Sequence, residues 1–199
     1  MKSRGLLAAA CAVVLMAGCN TNQRAANETA TTNEPAGNAG TAGTAGAGVS
    51  SSDKNWVNDQ LSGGMAEVEL ARLAKEHAAS AEVKQFGERM VKDHSAANDK
   101  LTHIATQKGV TAASDMDASS KREYDKLSKL SGAKFDQEYM KSMVSDHAKD
   151  VKEFQSESKS AKDPDVKTFV QSTLPTLEEH LKLAKTAQAA AKGEKTALK

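Results

Sequence analysis

The sequence predicts an all-α protein built as a four-helix bundle, on three observations. From about residue 53 the chain is rich in Ala, Lys, Glu, Leu and Gln and shows no sustained two-residue alternation. Only three prolines occur in 199 residues, so long stretches run without a strong breaker. Within four of these stretches large apolar residues recur at three- and four-residue steps, which gathers them on one face of an α-helix.

The chain opens with a different signal. Lys2 and Arg4 precede the apolar run LLAAACAVVLMAG, which stops at Cys19. Such a run is too short to stay in a bilayer as a spanning helix, and Ala17-Gly18-Cys19 offers small residues at a cleavage point. Residues 1–18 therefore read as a secretory signal. LMAGC resembles a lipobox, with Met16 where Leu is usual, so Cys19 is expected to be the acylated first residue of the mature chain and its anchor to the membrane. Cys11 leaves with the signal, and no thiol remains for a disulfide. Asn20 resembles the residue found after the cysteine in lipoproteins sent to the outer membrane, so the expected location is the periplasm, at the outer membrane.

Residues 19–52 continue as Asn, Thr, Ala and Gly, with fragments such as TAGTAGAG. A segment this poor in large apolar residues cannot offset its conformational entropy by burial. It reads as a tether that spans on the order of 30 Å. Residues 53–192 form the domain and residues 193–199 a tail.

The helices are expected at 53–79, 80–109, 118–131 (short), 134–161 and 163–192. Gly109 closes the second. Asp163-Pro164 starts the last, since Asp caps a helix and Pro is tolerated at its first position. Short links join the first pair and the last pair. The link between the second and third long helices holds the short extra helix and is long enough for a crossover along the bundle.

Charge and composition exclude several functions. Without Lys2 and Arg4 the mature chain carries a net charge of about −1, which offers nucleic acid no basic field. Seven aromatic residues leave little for base stacking. There is no nucleophile elbow, phosphate loop or CxxC pair.

The apolar stripes are informative where polar residues interrupt them. Leu61, Met65 and Leu73 mark the first helix, and Glu69 falls between the last two. His94 follows Met90 by four in the second helix. His147 follows Met143 by four in the third. His180 follows Leu177 by three in the fourth. At ~1.5 Å per residue, with the crossover returning the chain to its starting end, Glu69, His94, His147 and His180 fall at about 24, 18, 20 and 22 Å, within roughly one helical turn. Four inward polar groups at one level are the geometry of a buried metal or proton site. His77 lies some two turns away and reads as a helix-end residue, and His103 misses its stripe.

The pentapeptide MVKDH at 90–94 returns as MVSDH at 143–147, and four of the five histidines directly follow an acid. Those acids lie about 100° round the helix. Asp93, Asp146 and Glu179, with Asp150 one turn after His147, are placed to ligate directly or to hold a neighbouring imidazole. Met90 and Met143 read first as core fillers; as thioethers next to histidines they are also alternative ligands that suit copper(I). Pro175 is expected to bend the last helix before His180. The competing reading is that the inward His-carboxylate pairs only fix the register of a structural bundle.

MVKDH, LSGAKFDQEY, MVSDH, DPDVKTFVQSTLP and LEEHL, in that order over residues 53–190, resemble the bacterial domain-of-unknown-function family 4142. The resemblance implies a ferritin-like four-helix fold and an exported or outer-membrane protein. Ferritin-like di-iron sites carry Glu-x-x-His on two helices, whereas Val91, Val144 and Leu177 stand three before His94, His147 and His180. A ferroxidase centre is therefore not carried over. The expected site is three imidazoles and one carboxylate, suited to zinc, copper or iron. The expected role is metal handling or envelope stress, with a structural or interaction lipoprotein as the alternative and an oxidase third.

Overall fold

A computed structural model describes residues 49–193. Among the described residues the chain is entirely helical, with α1 (Ser51–His77), α2 (Ala81–Gln107), α3 (Ala118–Leu127), α4 (Gly132–Ser160) and α5 (Pro164–Ala191) and no strand. The signal, Cys19 and most of the tether lie outside the described residues.

Local chemistry sets the ends. The Ser50 side chain accepts from the Asp53 amide at 3.1 Å, so α1 begins two residues earlier than expected. Ser80 caps α2 by accepting from the Val83 amide at 3.2 Å. Asp163 caps α5, accepting from the amides of Asp165 and Val166 at 2.9 and 3.2 Å, with Pro164 at the first position. Gly109 follows α2 with φ 62°, the left-handed conformation that ends a helix. α5 runs through Pro175 to Ala191 without a break.

Two buried carboxylates tie opposite parts of the chain together. Asp53, fully buried in the first turn of α1, accepts from the Asp163 amide at 2.8 Å in the α4–α5 turn. Asp136, near the start of α4, accepts from the amides of Ala79 and Ser80 at 3.1 and 2.9 Å in the α1–α2 turn. Each helical hairpin therefore holds the turn of the other. A short repeat follows each of these turns: Val83-Lys84-Gln85-Phe86 opens α2 and Val166-Lys167-Thr168-Phe169 opens α5, with Val and Phe buried in both.

The core divides in two. One cluster joins the end of α1 (Ala71, Ala74), the start of α2 (Phe86, Met90), the first half of α4 (Phe135, Tyr139, Met143) and the end of α5 (Ala184, Ala187). The other joins the start of α1 (Val57, Leu61), the end of α2 (Leu101), the second half of α4 (Phe154) and the start of α5 (Phe169, Leu177). Cluster membership also gives direction: α4 enters at the end where the α1–α2 turn lies and runs parallel to α2. The segment 108–131, which includes α3, returns the chain. Trp56 packs on Phe154 and Phe169, with ring centroids 5.1 and 6.3 Å apart.

α1 meets α2 along small residues. A Cβ on Gly87 would stand 2.8 Å from Ala74 Cβ and 2.9 Å from the Ala71 carbonyl oxygen, and one on Gly64 would collide with the Asn98 amide. The two backbones approach as closely as glycine and alanine permit.

Candidate metal centre

Between the two apolar clusters lies a polar layer. His94 on α2, His147 on α4 and His180 on α5 are 6, 0 and 1 % exposed. Their ring centroids are 5.2–5.5 Å apart, and each ring brings one nitrogen within 4.8 Å of the others. α1 contributes Glu67, whose Oε2 accepts from His94 Nδ1 at 2.8 Å and whose Oε1 lies 3.6 Å from His147 Nε2.

Each ring is oriented through one nitrogen and leaves the other free. His147 Nδ1 lies 2.9 Å from the Met143 carbonyl oxygen, which can only accept, so Nδ1 carries the hydrogen and Nε2 presents a lone pair. His180 Nε2 donates to Asp93 Oδ2 at 2.9 Å, which leaves Nδ1 as the lone pair. Asp93 is in turn paired with Arg89, which also reaches Glu179 Oε2 at 3.3 Å. His94 Nδ1 is held by Glu67. The buried atoms without a hydrogen-bond partner include His94 Nε2, His147 Nε2, His180 Nδ1 and Glu67 Oε1. Unpartnered buried polar atoms are costly, and here they are gathered in one place.

The surrounding charges follow from burial and proximity. Burial raises the Glu67 carboxyl, but attraction and hydrogen bonding from His94, with the nearby His147 and His180, outweigh it and bring it down to about 2. Burial depresses His94, and its contact with Glu67 more than restores it, so its pKa is raised. Burial lowers His147 and His180, and for each the other two histidines or His94 add repulsion. These two rings are therefore the more readily neutral ones, as ligands must be. Burial, then repulsion from Glu123 and Glu67, pushes Asp146 up to about 7. Burial, then Glu67, Asp146 and Glu153, pushes Asp150 to about 9.

A cleft of about 750 Å³ reaches the layer, lined there by Glu67, His94, Asp150 and His180. Its exposed lining residues, Asp59, Asp117, Ser119, Lys149 and Ser156, place its mouth on the side of α1, α3 and α4.

The sequence-predicted residues divide as follows. His94, His147 and His180 come together in one layer. Asp93 supports His180, and Asp146 and Asp150 flank the layer on α4. Met90 and Met143 are fully buried in the first apolar cluster. Glu179 is exposed and pairs with Arg89. Glu69 is corrected: its side chain is 45 % exposed, with an oxygen 3.4 Å from Arg72 Nε, and Glu67 occupies the place expected for it. The two positions differ by about 200° round the helix. Leu61 and Leu73 are buried as expected, but Met65 is only half-buried, and Glu67 shares its face with the small residues Gly64, Ala71 and Ala74, so the large apolar residues alone set the phase toward Glu69. A small-residue seam in register with Glu67 was the signal that could have found it. His77 is a helix-end residue, with Nδ1 2.7 Å from the Leu130 carbonyl oxygen, and His103 is exposed.

Fold and site together define an all-helical bundle whose interior carries three imidazoles and a carboxylate in one polar layer. The chain belongs to the family described as Domain of unknown function (DUF4142), whose model matches residues 38–187. No curated protein and no solved structure matches it.

Proposed function

We propose that the chain is an envelope lipoprotein, anchored through acylated Cys19, whose ferritin-like four-helix bundle holds a transition-metal ion on His94, His147 and His180 with Glu67. The observation that carries this reading is the convergence of three imidazole nitrogens, each freed by a hydrogen bond on the other side of its ring. Three histidines and one carboxylate suit zinc, copper or iron. The site would serve metal handling or resistance to envelope stress. The hydrogen bonds that orient the rings match the partners that typically position metal-bound histidines.

A structural role is the second reading, favoured by the fact that His94–Glu67 and His180–Asp93 are already paired. Elemental analysis of the full chain, purified without a metal-binding tag, separates the two. About one ion per chain, absent from the His94→Ala/His147→Ala variant, is the expected result. A chain that stays empty after incubation with iron, copper, zinc and manganese, and whose variant loses only stability, supports the structural role.

A further inference from the structure

We propose that Asp150 is an additional ligand and makes the centre selective for a divalent over a monovalent ion, an inference that rests on the metal-site reading above. The ligand atoms of Glu67, His147 and Asp150 lie within 4.8 Å of one another, as do those of the three histidines. His147 belongs to both groups, and its Nδ1 is taken by the Met143 carbonyl, so the same Nε2 serves both. One imidazole nitrogen binds one ion. The two sets of three meet at that one nitrogen without merging into a single set of five, and an ion seated there draws its ligands from both.

Asp150 is only partly exposed, yet it makes no hydrogen bond or ion pair among the described residues. Its nearest cationic neighbour in sequence, Lys149, has a side chain 73 % exposed and reaches toward Glu153 instead, at 3.5 Å. The group that Asp150 faces contains His147, fully buried, with Nε2 unpartnered. This half-buried carboxyl, which has no salt-bridge partner among the described residues, is free to exchange its proton for an ion at that nitrogen.

Charge then decides which ion. Binding of an ion displaces the protons of its ligands to solvent; with the three imidazoles then neutral and Glu67 and Asp150 ionised, the ligands carry two negative charges, which a divalent ion cancels. A monovalent ion leaves one negative charge uncompensated in a partly buried site, where desolvation makes it costly. Donor chemistry points the same way: carboxylate oxygens favour harder ions, whereas monovalent copper prefers sulfur. The cleft supplies a route, since it is lined by both Glu67 and Asp150.

The test uses the purified full chain with Zn²⁺ and Ag⁺ as divalent and redox-inert monovalent probes. Each is titrated against a competing chelator, for the wild type and for Asp150→Asn and Asp146→Asn. Asp150→Asn is expected to weaken Zn²⁺ about 10–100-fold and Ag⁺ by less than about threefold, and Asp146→Asn to change neither by more than about threefold. Equal losses for both ions, or no loss of Zn²⁺, overturn the assignment of Asp150. A loss of Zn²⁺ in Asp146→Asn as large as in Asp150→Asn also overturns it, because the effect is then a general field of the acids. A wild type that takes up neither ion overturns the metal-site reading itself.

Discussion

His180 on α5 donates through Nε2 to Asp93 Oδ2 on α2 at 2.9 Å, and Asp93 is held in turn by Arg89. The contact joins two helices and fixes the tautomer that turns His180 Nδ1 toward His94 and His147. Asp93→Asn keeps the shape of the side chain but removes the charge that prefers this tautomer. It is expected to weaken metal binding by about 10–100-fold with little change in the urea midpoint of the metal-free protein. A chelator competition titration reads the first and an unfolding curve the second.

Glu67 and Glu69 make opposite predictions. Glu67→Ala leaves His94 Nδ1 without its buried partner, and breaking such a pair costs about 3–5 kcal/mol. Glu69→Ala removes an exposed contact with Arg72 and is expected to cost less than about 1 kcal/mol. Urea denaturation of the two variants, without metal, compares them directly.

The seam between α1 and α2 predicts a contrast between glycines. Gly87→Ala would press a methyl group against Ala74 and the Ala71 carbonyl, and overpacking of this kind costs about 1–3 kcal/mol. A Cβ on Gly63, within α1, meets nothing within 4 Å. Gly63→Ala should therefore stabilise the protein by about 0.5–1 kcal/mol through helix propensity alone. Thermal melts of the two variants should move in opposite directions.

The Asp163 cap predicts a pH dependence remote from the metal layer. Burial raises this carboxyl, but the hydrogen bond from Lys108 and those from the Val166 and Asp165 amides prevail, so its pKa in the folded state lies below its ordinary value. The unfolded chain then takes up a proton first as pH falls. The contribution of Asp163 is complete above the ordinary carboxylate range, near pH 4, and is lost as pH drops through the depressed value. Asp163→Ala should cost about 0.5–2 kcal/mol at neutral pH, and the gap to wild type should close on acidification. Urea unfolding at neutral pH and at a pH below the carboxylate range measures it.

A bound ion should stabilise the fold by mass action. At a free ion concentration a hundred times the dissociation constant the gain is about 2.7 kcal/mol. The melting temperature should rise with Zn²⁺, return with chelator, and not respond in His94→Ala/His147→Ala.

Much of this was legible in the chain because the signals are local. Asp163-Pro164 starts a helix and Gly109 ends one by chemistry confined to a few residues, and the structure puts both to that use. His94, His147 and His180 could be read because each interrupts a stripe of large apolar residues whose phase is unambiguous. Glu67 could not be read in that way. Its face of α1 is lined by Gly64, Ala71 and Ala74, and their inward position is set by the approach of α2, a tertiary fact without a hydrophobic marker. Asp53 and Asp136 were missed for a related reason: each serves a turn in the other hairpin, remote in sequence. Glu179 shows the reverse error, since a carboxylate next to an inward histidine still has room to point at solvent and an arginine.

The most direct measurement is X-ray absorption at the metal edge of the Zn²⁺-loaded full chain. The expected spectrum carries the multiple-scattering pattern of three imidazoles with nitrogens at about 2.0–2.1 Å, and one or two oxygens at similar distance. Loss of two of those imidazole contributions, or of the ion altogether, is expected in His94→Ala/His147→Ala. A spectrum from the wild type made only of oxygen neighbours, without imidazole scattering, would place the ion on surface carboxylates and contradict a centre built on His94, His147 and His180.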